Sequence, residues 1–94
     1  MTSRKKVRVP LYTISIAARL TELPVHTLRW LEAHRLVRPA RTGGNQRLFC
    51  EEDIELLREI AELLERRVNL AGIRTILMIK QIHHIEHILI EEEE

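Results

Sequence analysis

Apolar residues recur at helical spacing in the first third of the chain, and proline divides them into two short segments. The first segment covers residues 16–20 behind Ser15, a residue type that caps helices, and Pro24 limits this helix to about two turns. The second runs from Val25 to about His34, because apolar residues stand at every third position there. Two short helices joined by a few residues predict a helix-turn-helix.

A glycine-containing turn joins two extended runs after the second helix. The runs cover residues 36–41 and 46–49, and the turn Thr-Gly-Gly-Asn occupies residues 42–45. Because glycine tolerates a positive φ, both glycines suit a hairpin turn. The sequence therefore predicts a two-stranded wing that carries Arg41 and Arg47 on either side of its tip.

The second half of the chain predicts two longer helices. Three acids at residues 51–53 suit the positively polarised start of a third helix. Its predicted apolar stripe consists of Ile54, Leu57, Ala61, Leu64 and Val68. Asn69 is expected to cap a fourth helix that runs from Leu70 to about Met78 or Ile79.

A further apolar stripe continues past residue 79 and has the spacing of a coiled-coil seam. Its members are Met78, Ile82, Ile85 and Leu89. A single short helix cannot hide this much aliphatic surface, so we expect a second copy of the chain to cover it. The predicted organisation is a flexible basic arm (residues 1–10), a mostly α winged helix-turn-helix domain (residues 11–79) and a short dimerisation helix with an acidic tail (residues 80–94).

Charge is distributed unevenly along the chain, although the net charge is only +1. Residues 1–49 hold ten basic and two acidic side chains, whereas residues 50–94 hold five basic and twelve acidic ones. A basic half joined to an acidic half favours a surface that binds a polyanion. The alternative is that charges cluster by chance and are solvated in both halves.

Length and composition exclude several classes of protein. Ninety-four residues suffice for one domain but not for a large enzyme built on a doubly wound sheet or a barrel. The single cysteine, Cys50, rules out an intrachain disulfide and a cysteine-based zinc site, and we expect it to be inert. No apolar run approaches the ~20 residues of a membrane span, and no signal peptide is apparent. We therefore expect a cytoplasmic, nucleoid-associated protein without enzymatic activity or cofactor.

The second helix and the wing together predict contact with double-stranded DNA. A helix fits the major groove, where its first side chains reach base edges. In this chain those side chains belong to Val25, His26, Thr27 and Arg29. The indole N–H of Trp30 suits a phosphate oxygen, and wing arginines suit phosphates or a narrow minor groove. The alternatives are that Trp30 lies in the core, that Arg29 is merely solvated and that Asn45 serves the turn.

These motifs, in this order, resemble the MerR family of winged-helix regulators. The stretches that carry the resemblance are residues 14–20 in the first helix, 27–32 in the recognition helix, 36–41 and 47–49 in the wing, and 53–57 in the third helix. Residues 10–15, 42–44 and 68–74 look like the HspR branch, whose members repress heat-shock chaperone genes. The chain departs from the family pattern at Arg35 (usually Gly), Gln46 (often Tyr) and Cys50 (usually Ser).

The resemblance implies a homodimeric repressor that binds a pseudo-palindromic operator, with a chaperone as a candidate co-repressor and no membrane partner. The DNA-contacting residues that it implies are Arg19, Val25, His26, Thr27, Arg29, Trp30, Arg41, Gly44, Asn45, Gln46 and Arg47. A rival function is that of MerR-like domains of the chaperone-modulator type, which bind a protein instead of DNA. A third alternative is an excisionase-like architectural protein, but such a protein would lack the dimer seam that residues 78–89 provide. The basic recognition helix and wing, in which Glu32 is the single acid of residues 23–49, favour DNA.

Two histidines of the last helix have metal-binding spacing. His83 and His87 lie one helical turn apart, a geometry that can hold zinc, nickel or copper. We prefer the interpretation that they are polar positions of an otherwise apolar helix, and we predict no metal.

Overall fold

The computed structural model describes residues 8–92, with side chains as far as residue 81. This part of the chain forms four helices and two short strands, namely α1 (Ile14–Thr21), α2 (Val25–Ala33), β1 (Ala40–Arg41), β2 (Arg47–Leu48), α3 (Glu51–Glu65) and α4 (Leu70–Glu92). The chain divides into two compact units, Met1–Glu62 and Leu63–Glu94. The first unit contains the predicted winged helix-turn-helix, so the predicted fold is confirmed.

The first helix begins at Ile14, two residues earlier than predicted. Its N-cap is Thr13, whose hydroxyl accepts a hydrogen bond from the backbone N–H of Ile16 at 3.4 Å. The prediction of Ser15 as the cap was wrong, because Ser15 already lies inside the helix. Threonine and serine are both preferred N-cap residues, so residue type did not decide between the two positions.

The wing is an antiparallel pair in which Ala40 lies opposite Leu48 and Arg41 lies opposite Arg47. Its turn closes through the hydrogen bond from Thr42 N–H to the Gln46 carbonyl at 2.9 Å. The residue with a positive φ is Asn45, at 66°, and not either glycine as predicted. Asparagine tolerates the left-handed region better than most residues, which explains why it occupies this position.

The segment before α1 joins the end of the wing, a connection that the sequence did not predict. Phe49 donates its N–H to the Tyr12 carbonyl at 2.7 Å, and Tyr12 donates its N–H to the Phe49 carbonyl at 2.9 Å. The Tyr12 hydroxyl also donates to Glu51 at 2.9 Å, which raises the pKa of the Tyr12 phenol. These bonds fix the chain entering α1 beside the chain entering α3.

The core of the first unit is aliphatic around a single aromatic ring, that of Phe49. Its fully buried larger side chains are Leu28, Leu31, Val37, Phe49, Ile54, Leu57 and Ile60. The predicted stripe on α3 is therefore confirmed at Ile54 and Leu57, but Ile60 continues it where we expected Ala61, which is half-buried. Spacing of three residues keeps Ile60 on the face of Leu57, and a branched side chain fills more core volume than alanine.

The second unit holds the end of α3 and the long helix α4. Asn69 caps α4 as predicted, because its side-chain oxygen accepts a hydrogen bond from the Gly72 N–H at 2.9 Å. The predicted end near Met78 or Ile79 is wrong, since the helix continues to Glu92. No glycine or proline follows Gly72, so nothing in the sequence stops the helix there.

Candidate nucleic-acid interface

One face of α2 is exposed and carries most of the predicted contact residues. Leu28 and Leu31 are fully buried, which leaves the side chains between them on the outside of the helix. His26 and Arg29 are exposed, whereas Val25 and Thr27 are half-buried. The structure therefore brings four predicted residues to the start of one short helix, with the two polar ones most accessible.

Trp30 lies on the same exposed face and not in the core. Its side chain is 40% exposed, and its ring meets the His34 ring edge to face, with the ring centroids 4.7 Å apart. The alternative that Trp30 is a core residue is therefore wrong. An aromatic side chain that is held by a neighbouring ring and open to solvent can contact a ligand at little entropic cost.

Helix α2 ends in a tight turn centred on Arg35. The N–H of Arg35 donates to the Glu32 carbonyl at 2.9 Å, and that of Leu36 donates to the Leu31 carbonyl at 2.9 Å. This is the Schellman pattern, and it requires a left-handed residue at its centre. Arg35 adopts φ 63° there, a left-handed conformation that glycine adopts more readily than arginine.

The wing places its two arginines next to α2, where both contact Glu32. Arg41 Nη2 donates to Glu32 Oε2 at 2.9 Å, and Arg47 Nε donates to Glu32 Oε1. Arg41 Nη1 also donates to the Asn45 carbonyl at 2.9 Å, across the turn of the wing. The helix and the wing are therefore joined by a single carboxylate with both oxygens in use.

Partial burial by itself raises the pKa of Glu32, but the hydrogen bonds and positive charges of Arg47 and Arg41 outweigh it. The net effect is a pKa below the ordinary glutamate value. Glu32 is thus ionised at neutral pH, and the three side chains together carry one net positive charge.

The remaining predicted contact residues occupy the outside of the first unit. Arg19 is exposed on α1, and Gly44, Asn45 and Gln46 are exposed at the tip of the wing. Asn45 serves the turn, because its N–H donates to the Thr42 carbonyl at 2.8 Å and its φ is positive. The interpretation of Asn45 as a turn residue is therefore confirmed.

A second charged cluster, unforeseen in the sequence, ties Arg8 to the start of α3. The Arg8 guanidinium donates to Asp53 Oδ1 at 2.5 Å and to Cys50 Sγ at 3.1 and 3.3 Å. Asp53 Oδ2 accepts the Cys50 N–H at 3.0 Å, which is the half of a capping box that the third residue of a helix supplies. Arg8, Cys50 and Asp53 line a cavity of about 130 Å³, and Arg38 also borders it.

The two features missed in the sequence are the acids that organise arginines. The sequence assigns Glu32 to the recognition-helix motif and Asp53 to the acidic start of α3, but it predicts an ion pair for neither residue. A single acid within a basic stretch is itself a signal for an ion pair. The distance in sequence between Arg8 and Asp53 gave no comparable signal.

The fold, the exposed helix face and the wing agree with a match to a known family. The family described as MerR HTH family regulatory protein matches residues 12–78. The chain belongs to the MerR family. It is a family of regulators and not of enzymes, as expected.

Relatives of this MerR-family chain are transcriptional regulators. The chain is 42% identical over 84 residues to the HTH-type transcriptional regulator GlnR of Bacillus anthracis, a match that covers 89% of this chain and 64% of GlnR. It is 45% identical over 69 residues to the heat shock protein HspR of Streptomyces coelicolor, which covers 72% of this chain and 46% of HspR. The chain thus spans less than two thirds of either relative.

A solved structure shares the fold and contains DNA. It is HiNmlR, a MerR family regulator lacking the sensor domain, bound to promoter DNA. This MerR-family chain superposes on it with a TM-score of 0.70 and 25% identity, over 87% of this chain and 64% of that one.

Predictions for the last helix fall largely outside the described side chains. Met78 is described and is 62% exposed on α4. Ile82, Ile85 and Leu89, and the histidines His83 and His87, lie beyond the described side chains. Among the side chains that are described, no three histidine, cysteine or acidic groups come together as a metal site. None of the helices in residues 8–92 has the length and apolar character needed to cross a bilayer.

Proposed function

We propose that this MerR-family chain is a transcriptional regulator that binds double-stranded DNA through α2 and the wing. The observation that carries the proposal is the placement of Arg29 and Trp30 on an exposed helix face, with Arg41 and Arg47 hydrogen-bonded to the same helix. A helix flanked by a basic hairpin fits a major groove and the phosphates beside it. The likeness to a regulator solved with promoter DNA supports this role.

We further propose that the regulator is a homodimeric repressor of stress or chaperone genes that acts on a pseudo-palindromic operator in the cytoplasm. The similarity to HspR supports the class of target gene. Exposure of Met78, at the start of the predicted seam, supports a second copy along α4. Two-fold symmetry in the protein would be mirrored by two half-sites in the DNA.

Selection of bound duplexes from a random pool, combined with the mass of the complex, tests both proposals. The expected result is an inverted repeat bound by two chains. A pool that yields no enriched sequence, with no binding even in dilute salt, would overturn the DNA-binding function and favour a protein-binding module. Enrichment of an unsymmetrical site bound by one chain would overturn the dimer alone.

Substitution of Arg29 tests whether α2 reads bases. If Arg29 contacts a base edge, Arg29→Ala costs about 1–3 kcal/mol of binding at one base pair and relaxes the preference there. Arg74→Ala is the matched control, because Arg74 is an exposed helical arginine of α4 that is not among the predicted DNA contacts. The measurement is the affinity of each variant for the selected duplex and for its single-base variants. An equal loss on all sequences would place Arg29 on the phosphates.

A further inference from the structure

We infer that Glu32 is a positioning residue, which holds the two wing arginines in the orientation that contacts DNA phosphates. The inference rests on the proposed DNA-binding function. It assigns a favourable role to an acid whose negative charge, taken by itself, would oppose the binding of DNA. Glu32 lies on α2, whereas Arg41 and Arg47 lie on the two strands of the wing. Each arginine donates to a different oxygen of the Glu32 carboxylate.

The wing needs a negative charge at this point. Arg41 and Arg47 are direct neighbours across the two strands, and like charges in that position repel each other. The Glu32 carboxylate removes this repulsion because it binds both guanidinium groups at once. Without it, the two side chains are expected to move apart and to sample many rotamers.

Arg41 is the most exposed of the three side chains in this cluster. The side chain of Arg41 is 36% exposed, whereas those of Arg47 and Glu32 are 23% and 20% exposed. Arg47 uses only Nε toward Glu32, and each guanidinium carries five N–H groups, so donors remain for a phosphate. Arg41 is held at two points, by Glu32 and by the Asn45 carbonyl. Arginines fixed in this way lose little side-chain entropy when they bind.

The positioning role and the simple charge effect predict opposite signs. An acid near a DNA-binding surface repels phosphate, so its removal should strengthen binding if charge is all that matters. If Glu32 acts through the arginines, its removal should weaken binding, because two cations lose their fixed orientation. The sign of the change therefore decides between the two roles.

The experiment compares Glu32→Gln with Glu22→Gln in the full chain. Both substitutions remove one negative charge from the first unit, and Glu22 is an exposed residue at the end of α1. Binding is measured by fluorescence anisotropy on a labelled random-sequence duplex of about 30 base pairs in ~50 mM NaCl, where phosphate contacts dominate. We expect Glu32→Gln to lower the affinity by about tenfold, the middle of the range for coupled residues. We expect Glu22→Gln to leave it unchanged or to raise it by about twofold.

A second comparison distinguishes a positioning role of Glu32 from an effect of Glu32 on folding. In a protein that already carries Arg41→Ala and Arg47→Ala, Glu32 has no arginine to position. Adding Glu32→Gln should then raise the affinity by about twofold, because only the repulsion between Glu32 and phosphate is left. A loss of affinity in both backgrounds would assign Glu32 a general structural role and overturn the inference.

The outcomes separate this inference from the proposed function. Wild-type protein that binds the duplex, with Glu32→Gln binding equally well or better, overturns the role of Glu32 and leaves DNA binding intact. Wild-type protein that binds no duplex overturns both. A sign that reverses between the two backgrounds establishes Glu32 as a positioning residue.

Discussion

Two arginines adopt a backbone conformation that favours glycine. Arg35 and Arg67 have φ of 63° and 62°, and each is at the centre of the turn that ends a helix. The left-handed region costs a residue with a Cβ roughly 1–2 kcal/mol relative to the right-handed one. The hydrogen bonds of the Schellman turn maintain this conformation at both places.

Replacement of Arg35 by glycine should therefore stabilise the fold. We expect Arg35→Gly to raise the free energy of unfolding by about 0.5–1 kcal/mol, because relief of the left-handed conformation exceeds the greater backbone entropy of unfolded glycine. Arg29→Gly is the control, since the same change inside α2 should cost about 1 kcal/mol. Urea unfolding of the three proteins measures the difference. Equal losses for both variants would show that Arg35 contributes more by its side chain than its conformation costs.

At the scale of elements, an acid at the third position of α3 connects the start of this helix to the segment before α1. Asp53 is buried, accepts the Cys50 N–H and binds Arg8, so it joins the start of α3 to the segment before α1. Such a residue satisfies a donor that the helix itself leaves unpaired.

Loss of this carboxylate should weaken the first unit. We expect Asp53→Ala to lower the free energy of unfolding by about 1–2 kcal/mol, because the Cys50 N–H and Arg8 both lose their acceptor. Glu55→Ala is the control, since Glu55 is an exposed acid of the same helix and its removal should change stability by less than about 0.5 kcal/mol. Thermal and urea unfolding of both variants provide the measurement. Similar losses would show that the α3 start depends on total charge and not on the Asp53 bonds.

At the scale of the whole molecule, the boundary in charge differs from the boundary between the compact units. The acidic half of the sequence starts at residue 50, but the first unit extends to Glu62 and includes most of α3. Residues 1–62 hold eleven basic and eight acidic side chains. The first unit as a whole is therefore less positive than residues 1–49, because it includes the acidic start of α3.

The seam predicted along α4 gives a test of assembly. Ile82→Glu combined with Ile85→Glu should yield monomers and a much weaker complex with the selected duplex, because buried carboxylates oppose an apolar interface. Gln81→Glu is the control, since Gln81 is an exposed residue of the same helix outside the seam. Sedimentation equilibrium gives the mass of each variant. A double variant that remains dimeric would place the interface elsewhere on the chain.

Local chemistry determined much of this protein from the sequence alone. The order of two short helices, a turn and a long helix followed from apolar spacing and from Pro24 and the residues of the wing turn, all of which act through nearby atoms. The cap at Asn69 and the family resemblance followed for the same reason. Where two local solutions were equivalent, as for the Thr13 and Ser15 caps or for the glycines and Asn45, the sequence did not select one.

Tertiary structure decided which charges meet. The pairing of Glu32 with Arg41 and Arg47 depends on the wing folding beside α2, and that of Arg8 with Asp53 joins residues far apart in the chain. The bridge between Tyr12 and Phe49 has the same origin. Residue type and spacing specify helices through contacts within a turn or two, whereas ion pairs between elements exist only after those elements have packed.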